Sequence, residues 1–277
     1  MTINCKGELL DLSQSKVMGI LNLTPDSFYD GGRFIKEKEL LHQVEKMLNE
    51  GASFIDIGGY SSRPGADDIS IDEEKKRVLP VLEVVLKMFP ETLISIDTFR
   101  SEVATECLEG GAAMVNDISG GSLDERMFEV VAKYQVPYII MHMRGTPQTM
   151  KSMTDYDDLL KEIIYYFSEK IALANQLKIN DVIIDPGFGF AKTVEQNYFL
   201  LKNLALLKNL DRPILAGLSR KSMLYKTLGI SPEGALNSTT AANILALENG
   251  ANILRVHDVK EAVECIKIHE AYKSSIS

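Results

Sequence analysis

Eight short apolar runs rich in β-branched residues, separated by amphipathic stretches, constrain the fold of this chain more than any other feature. They cover residues 17–23, 53–59, 93–98, 113–119, 137–143, 181–187, 212–219 and 251–258, and begin 20 to 44 residues apart. Within them both parities are apolar, as in Ile183 with Ile184 and Tyr138 with Ile139 and Ile140. Strands covered on both faces read this way, and parallel strands are the usual case. The intervening segments have helical spacing. Residues 37–50 gather Leu40, Leu41, Val44, Met47 and Leu48 on one face, and residues 157–174 do so with Leu160, Ile163, Ile164, Phe167 and Ile171. Strands alternating with helices specify a parallel α/β fold, and eight such units predict a closed (β/α)8 barrel rather than an open sheet.

Length and composition agree. The chain has 277 residues, near the ~250 common for such barrels, and no linker or low-complexity segment divides it. A single domain over residues 1–277 is therefore expected. Three scattered cysteines without a CxxC pair argue against a disulfide framework or a zinc site and fit a reducing cytoplasm. No run of ~18 apolar residues calls for a membrane span, and the first fifteen residues lack the apolar core of a signal peptide. A net charge of −9 disfavours a broad nucleic-acid face, yet leaves room for a local cationic pocket.

The strand ends carry the chemistry. In barrels of this kind the active site lies at the C-terminal ends of the strands. Here those ends supply Asn22, Ser61, Ser62 and Arg63, Asp97, Asn116 and Asp117, His142 with Arg144, Asp185, Arg220 and Lys221, and Arg255 with His257. Asp97 and Asp185 follow buried strands and need partners there. A flat heterocycle with N–H donors is one partner; an N-cap or an ion pair with Arg220 or Arg255 is the other. Lys221, Arg255 and His257 converge from the last two strands, the usual phosphate corner of these barrels; an ion-pair network with Asp185 and Asp258 is the alternative. Residues 22–32 and 58–65 form loops rich in Gly, Pro and hydroxyls, suited to binding. His42 and His269 fall in helices and are expected at the surface. No P-loop, HExxH or GxSxG occurs, and the Gly187–Lys192 stretch lacks the third glycine of a dinucleotide fingerprint. A Mg2+ ion carried by a phosphate needs only one or two protein ligands, so the lack of a metal motif does not argue against it.

Eight blocks, in order along nearly the whole chain, resemble those of dihydropteroate synthases. They are Asn22 to Phe28, Asp56 to Gly59 with Ser62 to Gly65, Ser95 to Thr98, Asn116 to Gly120, Met141 to Pro147, Asp185 to Phe190, Gly217 to Ser222 and Arg255 to Val259. The resemblance implies condensation of 6-hydroxymethyl-7,8-dihydropterin pyrophosphate with p-aminobenzoate in a cytoplasmic homodimer that is a target of sulfonamides. It places the pterin on Asp97, Asn116, Asp185 and Lys221, in a slot shaped by Met141, Phe190 and Gly217. The pyrophosphate would lie on Asn22, Ser62, Arg63, Arg255 and His257, with Mg2+ contacting Asn22. p-Aminobenzoate would occupy Phe28, Ser62, Arg63, Pro64, Lys221 and Ser222 and is expected to bind after the pterin substrate. Asp97, Asp185, Lys221, Arg255 and His257 are the implied catalytic set. Tyr60, where many members carry Glu, and residues 234–239 depart from the family pattern. Two other functions merit comparison: a methyltetrahydrofolate-binding methyltransferase, which has no use for the phosphate corner, and an inactive pterin-binding partner subunit, which should have lost it.

Overall fold

The computed structural model describes residues 1–23, 33–61 and 68–275. The strands are β1 (Thr2–Cys5), β2 (Glu8–Asp11), β3 (Lys16–Asn22), β4 (Phe54–Gly58), β5 (Ile94–Asp97), β6 (Met114–Asp117), β7 (Tyr138–Met141), β8 (Val182–Asp185), β9 (Leu215–Ala216) and β10 (Ile253–Val256). The helices are α1 (Arg33–Asn49), α2 (Ile71–Met88), α3 (Ser101–Glu109), α4 (Arg126–Tyr134), α5 (Leu159–Gln176), α6 (Val194–Lys202), α7 (Ser222–Leu228), α8 (Leu236–Glu248) and α9 (Val259–Ser274). Strands β3 to β10 form one parallel sheet in the order β8-β7-β6-β5-β4-β3-β10-β9. A parallel bridge from Ile184 to Ile214 joins its two ends. The sheet is thus a closed (β/α)8 barrel, as the eight runs predict, and closure leaves no exposed edge.

Side-chain parity explains why both faces of each strand are apolar. Ile55, Ile57, Ile94, Ile96, Val115, Tyr138, Ile140, Val182, Ile184, Leu254 and Val256 point outward and join the apolar faces of the helices in one large core. Met18, Phe54, Met114, Ile139, Ile183, Leu215 and Ile253 point inward and build a separate, smaller core at the barrel floor. Truncating one of these, such as Phe54 to Ala, should cost ~3–5 kcal/mol, because the closed barrel has little freedom to collapse around the hole.

Four features differ from the sequence expectations. The antiparallel hairpin β1–β2 lies outside the eight runs; it seals the floor with Ile3, Cys5 and Leu12. Its turn needs left-handed backbone at both Lys6 (φ 53) and Gly7 (φ 88), and a lysine in the first position hides the usual turn signal. The seventh barrel strand shrinks from 212–219 to the two residues of β9, with Pro213 entering it; the Pro213 carbonyl still accepts from the Ile184 amide at 2.9 Å. Residues 236–239 belong to α8 rather than to a loop. His269 is buried, not at the surface, with its Nε2 3.2 Å from Glu248 Oε2.

Candidate functional site

The same parity that buries the floor builds the site. Two residues further along each strand, the inward position passes from the apolar floor to the open mouth. Phe54 is followed by Asp56, Ser95 by Asp97, Met114 by Asn116, Ile139 by Met141, Ile183 by Asp185, Leu215 by Gly217 and Ile253 by Arg255. The layer is in register across the sheet: Asp97 pairs with Asn116, and Met141 with Asp185. Asp97, Asn116, Met141, Asp185, Gly217 and Arg255 therefore converge on the mouth. Asn22 ends β3 at the exposed rim. His257 and Ser219 stand one step above Arg255 and Gly217, and the Ser219 hydroxyl lies 3.0 Å from His257 Nδ1. Ser222 opens α7 directly after Lys221, its N-cap residue. Phe28, Ser62, Arg63 and Pro64 lie outside the described residues.

Arg255 is the electrostatic centre. Its Nε donates to Asp56 Oδ2 at 2.6 Å, and its Nη2 lies 2.6 Å from both Asp56 Oδ2 and Asp97 Oδ2. Asp97 thus makes the ion pair with Arg255 that the sequence left open as the alternative. Asp56 is a site residue that sequence reasoning passed over. It lies mid-strand within an otherwise apolar run, and its inward register was the signal. The same Asp56 oxygen accepts from Asn116 Nδ2 at 3.1 Å. That bond fixes the polarity of the Asn116 amide and turns its carbonyl oxygen away from Asp56.

Burial governs the charges. It raises the Asp97 carboxyl to about 7, with Arg255 opposing the rise and Asp56, Glu74 and Asp117 adding to it. Burial also raises Asp185, against the Gly187 amide (2.8 Å to Asp185 Oδ1), Lys221, Arg255 and Lys192. Lys221 is lowered to about 8 by burial and by Arg255, with Asp185 and Asp97 opposing. Burial alone would lower Arg255, but Asp56, Asp97 and Asp185 more than offset it and the guanidinium is held charged. The mouth thus presents three carboxylates against two cations, Lys221 and Arg255.

An apolar slot adjoins these groups. Met141, Met143, Met150, Ile118, Phe190 and Ala191 cluster, and Lys221 Nζ sits 4.4 Å from the centroid of the Phe190 ring, a cation–π contact. A methyl group on Gly217 would stand 4.0 Å from Asp185 Oδ2, so the floor of the slot beside that carboxylate is kept clear. Flat apolar walls beside convergent acceptors suit a planar heterocycle rich in N–H groups.

Other polar strand ends turn away from the mouth. Asp117, on the outward parity, accepts from Ser119, Gly121 and Tyr138 and closes its own turn. Arg144 leaves for α5, where it bonds Glu162 and the Asp155 carbonyl and lies over Tyr156. Arg220, not Arg255, takes Asp258, at 2.7 Å. Tyr60 donates no charge where Glu is common; its hydroxyl accepts from Gln148 at 2.8 Å and its ring meets Phe99 edge-on. Among the described residues no cluster of three metal-ligating side chains occurs. No helix among them is long and apolar enough to cross a membrane.

Comparison with known proteins places this geometry in a family. The profile of the pterin binding enzymes matches residues 18–257. The dihydropteroate synthase of Escherichia coli K12 is 43% identical over 99% of this chain and 98% of its own length. That of Synechocystis is 46% identical over 92% of this chain and 89% of its own. Among solved structures, Yersinia pestis dihydropteroate synthase in complex with a sulfonamide drug superposes with a TM-score of 0.92 at 42% identity, covering 99% of this chain and all of that one. The Xanthomonas albilineans enzyme with 4-aminobenzoic acid gives 0.90 at 37% identity over 99% of both chains. Fold, inward layer and sequence together assign the chain to the pterin-binding enzymes, within the dihydropteroate synthase family.

Proposed function

We propose that this chain condenses 6-hydroxymethyl-7,8-dihydropterin pyrophosphate with p-aminobenzoate, giving 7,8-dihydropteroate and pyrophosphate. The observation that carries this reading is the inward layer of Asp97, Asn116 and Asp185 beside the Phe190–Lys221 stack, with Arg255 behind it. The carboxylates and the Asn116 carbonyl match the ring and amino N–H groups of a pterin. Phe190, Met141 and Gly217 admit its plane.

The reaction breaks the bond from the pterin methylene carbon to the pyrophosphate oxygen and forms one to the aniline nitrogen, which then loses a proton. Positive charge builds on the pterin and negative charge on the leaving group. Asp97 and Asp185 face the first; Arg255, His257 and Lys221 favour the second. Fixed charges of this kind lower the barrier without reorganising during the reaction. The aniline nitrogen is a free nucleophile, so positioning takes the place of a strong general base. Arg255 is held by Asp56, which leaves Asp97 able to exchange its arginine contact for the substrate.

Mg2+ fits as a substrate-borne ion: the exposed Asn22 offers one amide oxygen at the rim, and among the described residues no cluster of metal-ligating side chains competes for it. When bound it would add charge stabilisation to the departing pyrophosphate. p-Aminobenzoate, and sulfonamides that mimic it, would occupy the side of the mouth toward Ser222 and Lys221, completed by Phe28, Ser62, Arg63 and Pro64, with Ser62 and Arg63 also reaching the pyrophosphate. A cytoplasmic location accords with three free, buried cysteines. A homodimer accords with Phe199, Leu228 and Leu245, apolar and exposed on the adjoining helices α6, α7 and α8. The decisive experiment is pyrophosphate release from the pterin substrate. Release that depends on p-aminobenzoate supports the assignment, and no release with both substrates and Mg2+ present would overturn it.

A further inference from the structure

The turn that joins β8 to α6 carries two walls of the pterin slot, Asp185 and Phe190, and it folds around a lysine with no part in the chemistry so far. Lys192 is buried, and its Nζ donates to the carbonyls of Gly187 and Phe190, each at 3.0 Å, and lies 3.1 Å from Nδ1 of the buried His142. An ammonium has three donors, and here it meets three acceptors. A neutral amine has two donors and would turn a lone pair toward one of them. The arrangement also requires His142 to be neutral, with its proton on Nε2. Burial, then the charges of Lys192 and Arg144, hold that imidazole at about 2, so it accepts at any physiological pH.

The turn has little freedom beyond this centre. Asp185 Oδ1 accepts from the Gly187 amide, Asn197 Oδ1 from the Gly189 amide at 2.7 Å, and the Ala191 carbonyl accepts from Tyr156 at 3.0 Å. Gly187 (φ 72) passes so close to β7 that a Cβ would stand 2.1 Å from the His142 carbonyl oxygen. Ala191 holds a left-handed φ of 49, a conformation costly for any residue with a Cβ. A backbone held in such a state needs over-determination by its surroundings, and the Lys192 ammonium ties its two ends together.

We propose that Lys192 is a positioning residue of the pterin half-site: its buried ammonium, seated on His142, fixes the 185–192 turn and keeps Asp185 ionised for the pterin. This rests on the proposed function. The charged and titratable groups around Lys192 are Asp185 on β8, Lys221 ahead of α7, and His142 and Arg144 just after β7, while Arg255 on β10 acts on Asp185. Burial lowers Lys192 to about 7, with Asp185 opposing and Lys221 and Arg144 assisting, so its charge is sensitive to the loss of any of these. Asp97 answers instead to Arg255, Asp56, Glu74 and Asp117.

The test combines Lys192→Met, which keeps the length of the side chain and removes the charge, with NMR of the unmodified protein. In the variant the KM for the pterin pyrophosphate should rise about tenfold or more, the loss of one charged hydrogen-bond centre, while the KM for p-aminobenzoate stays within about twofold. Affinity for a phosphate-free pterin, followed by calorimetry across pH, should show its acid limb at a higher pH than in the wild type, because Asp185 loses one of the three cations, beside Lys221 and Arg255, that favour its ionised form. A purely structural lysine would weaken binding without moving that limb, and an unmoved limb overturns the proposal. Should the variant fail to fold, 15N spectra of the wild-type histidines decide, with His142→Gln giving the assignment. An Nδ1 acceptor that does not titrate between pH 5 and 8 supports the seat; a titrating His142, or a proton on Nδ1, overturns it. Wild-type protein that releases no pyrophosphate overturns the proposed reaction alone, since the NMR result does not depend on turnover.

Discussion

Asp56→Asn tests whether the hidden carboxylate organises the mouth. The change keeps the shape and removes the charge. In the wild type one oxygen, Asp56 Oδ2, meets Arg255 Nε and Nη2 at 2.6 Å each and Asn116 Nδ2 at 3.1 Å. Hydrogen bonds between charged groups are worth about twice neutral ones, so neutralising Asp56 loses ~1 kcal/mol for each arginine contact and less for Asn116. Against this stands the recovered cost of burying a carboxylate whose Oδ1 has no hydrogen-bond partner among the described residues. The net loss should be about 1–3 kcal/mol, or roughly 2–5 °C in Tm for a chain of this size. Binding should change in a distinctive direction. The Asp56 charge is one cause of the raised Asp97 pKa, which stands at about 7. Without it Asp97 stays ionised to lower pH, so the acid limb of pterin affinity should move down, opposite to the shift expected for Lys192→Met. Affinity at pH 8 should fall about tenfold, because Arg255 then has Asp97 as its stronger partner and Asn116 is free to flip its amide. Calorimetry with a phosphate-free pterin from pH 5 to 9, beside thermal unfolding, measures both effects. An unchanged Tm together with an unmoved acid limb would refute the role given to Asp56.

Asp185→Asn should weaken a phosphate-free pterin by about 1.5–3 kcal/mol with little change in pyrophosphate affinity; equal pterin binding by calorimetry would remove Asp185 from the pterin set. EDTA should abolish turnover and Mg2+ restore it, while elemental analysis of the purified substrate-free protein finds no stoichiometric metal; a tightly bound ion there would contradict the substrate-borne role. p-Aminobenzoate should bind the free protein far more weakly than the protein carrying a pterin analogue, pyrophosphate and Mg2+, since a ligand this small has little free energy with which to order its own site. Equal affinity in the two titrations would show a preformed site.

The sequence by itself determined the architecture. Eight apolar runs with both parities filled can be buried only between a helical layer and a packed barrel interior, and the polar residues that end those runs then share one rim. The block pattern pointed to Asp97, Asn116, Asp185, Lys221 and Arg255, and the inward register brings all but Lys221 into one layer, with Lys221 at its edge over Phe190. Only the tertiary structure decided which charges meet. Asp56 and Arg255 are 199 positions apart in sequence, and Lys192 and His142 are 50 apart. No periodicity within one strand reports on a partner across the barrel. The hairpin β1–β2 was hidden for a related reason, since its apolar side chains matter only once a barrel floor exists to receive them. Local sequence sets which way a side chain points from its strand; closure of the barrel sets what it faces, and the chemistry of this site depends on the second.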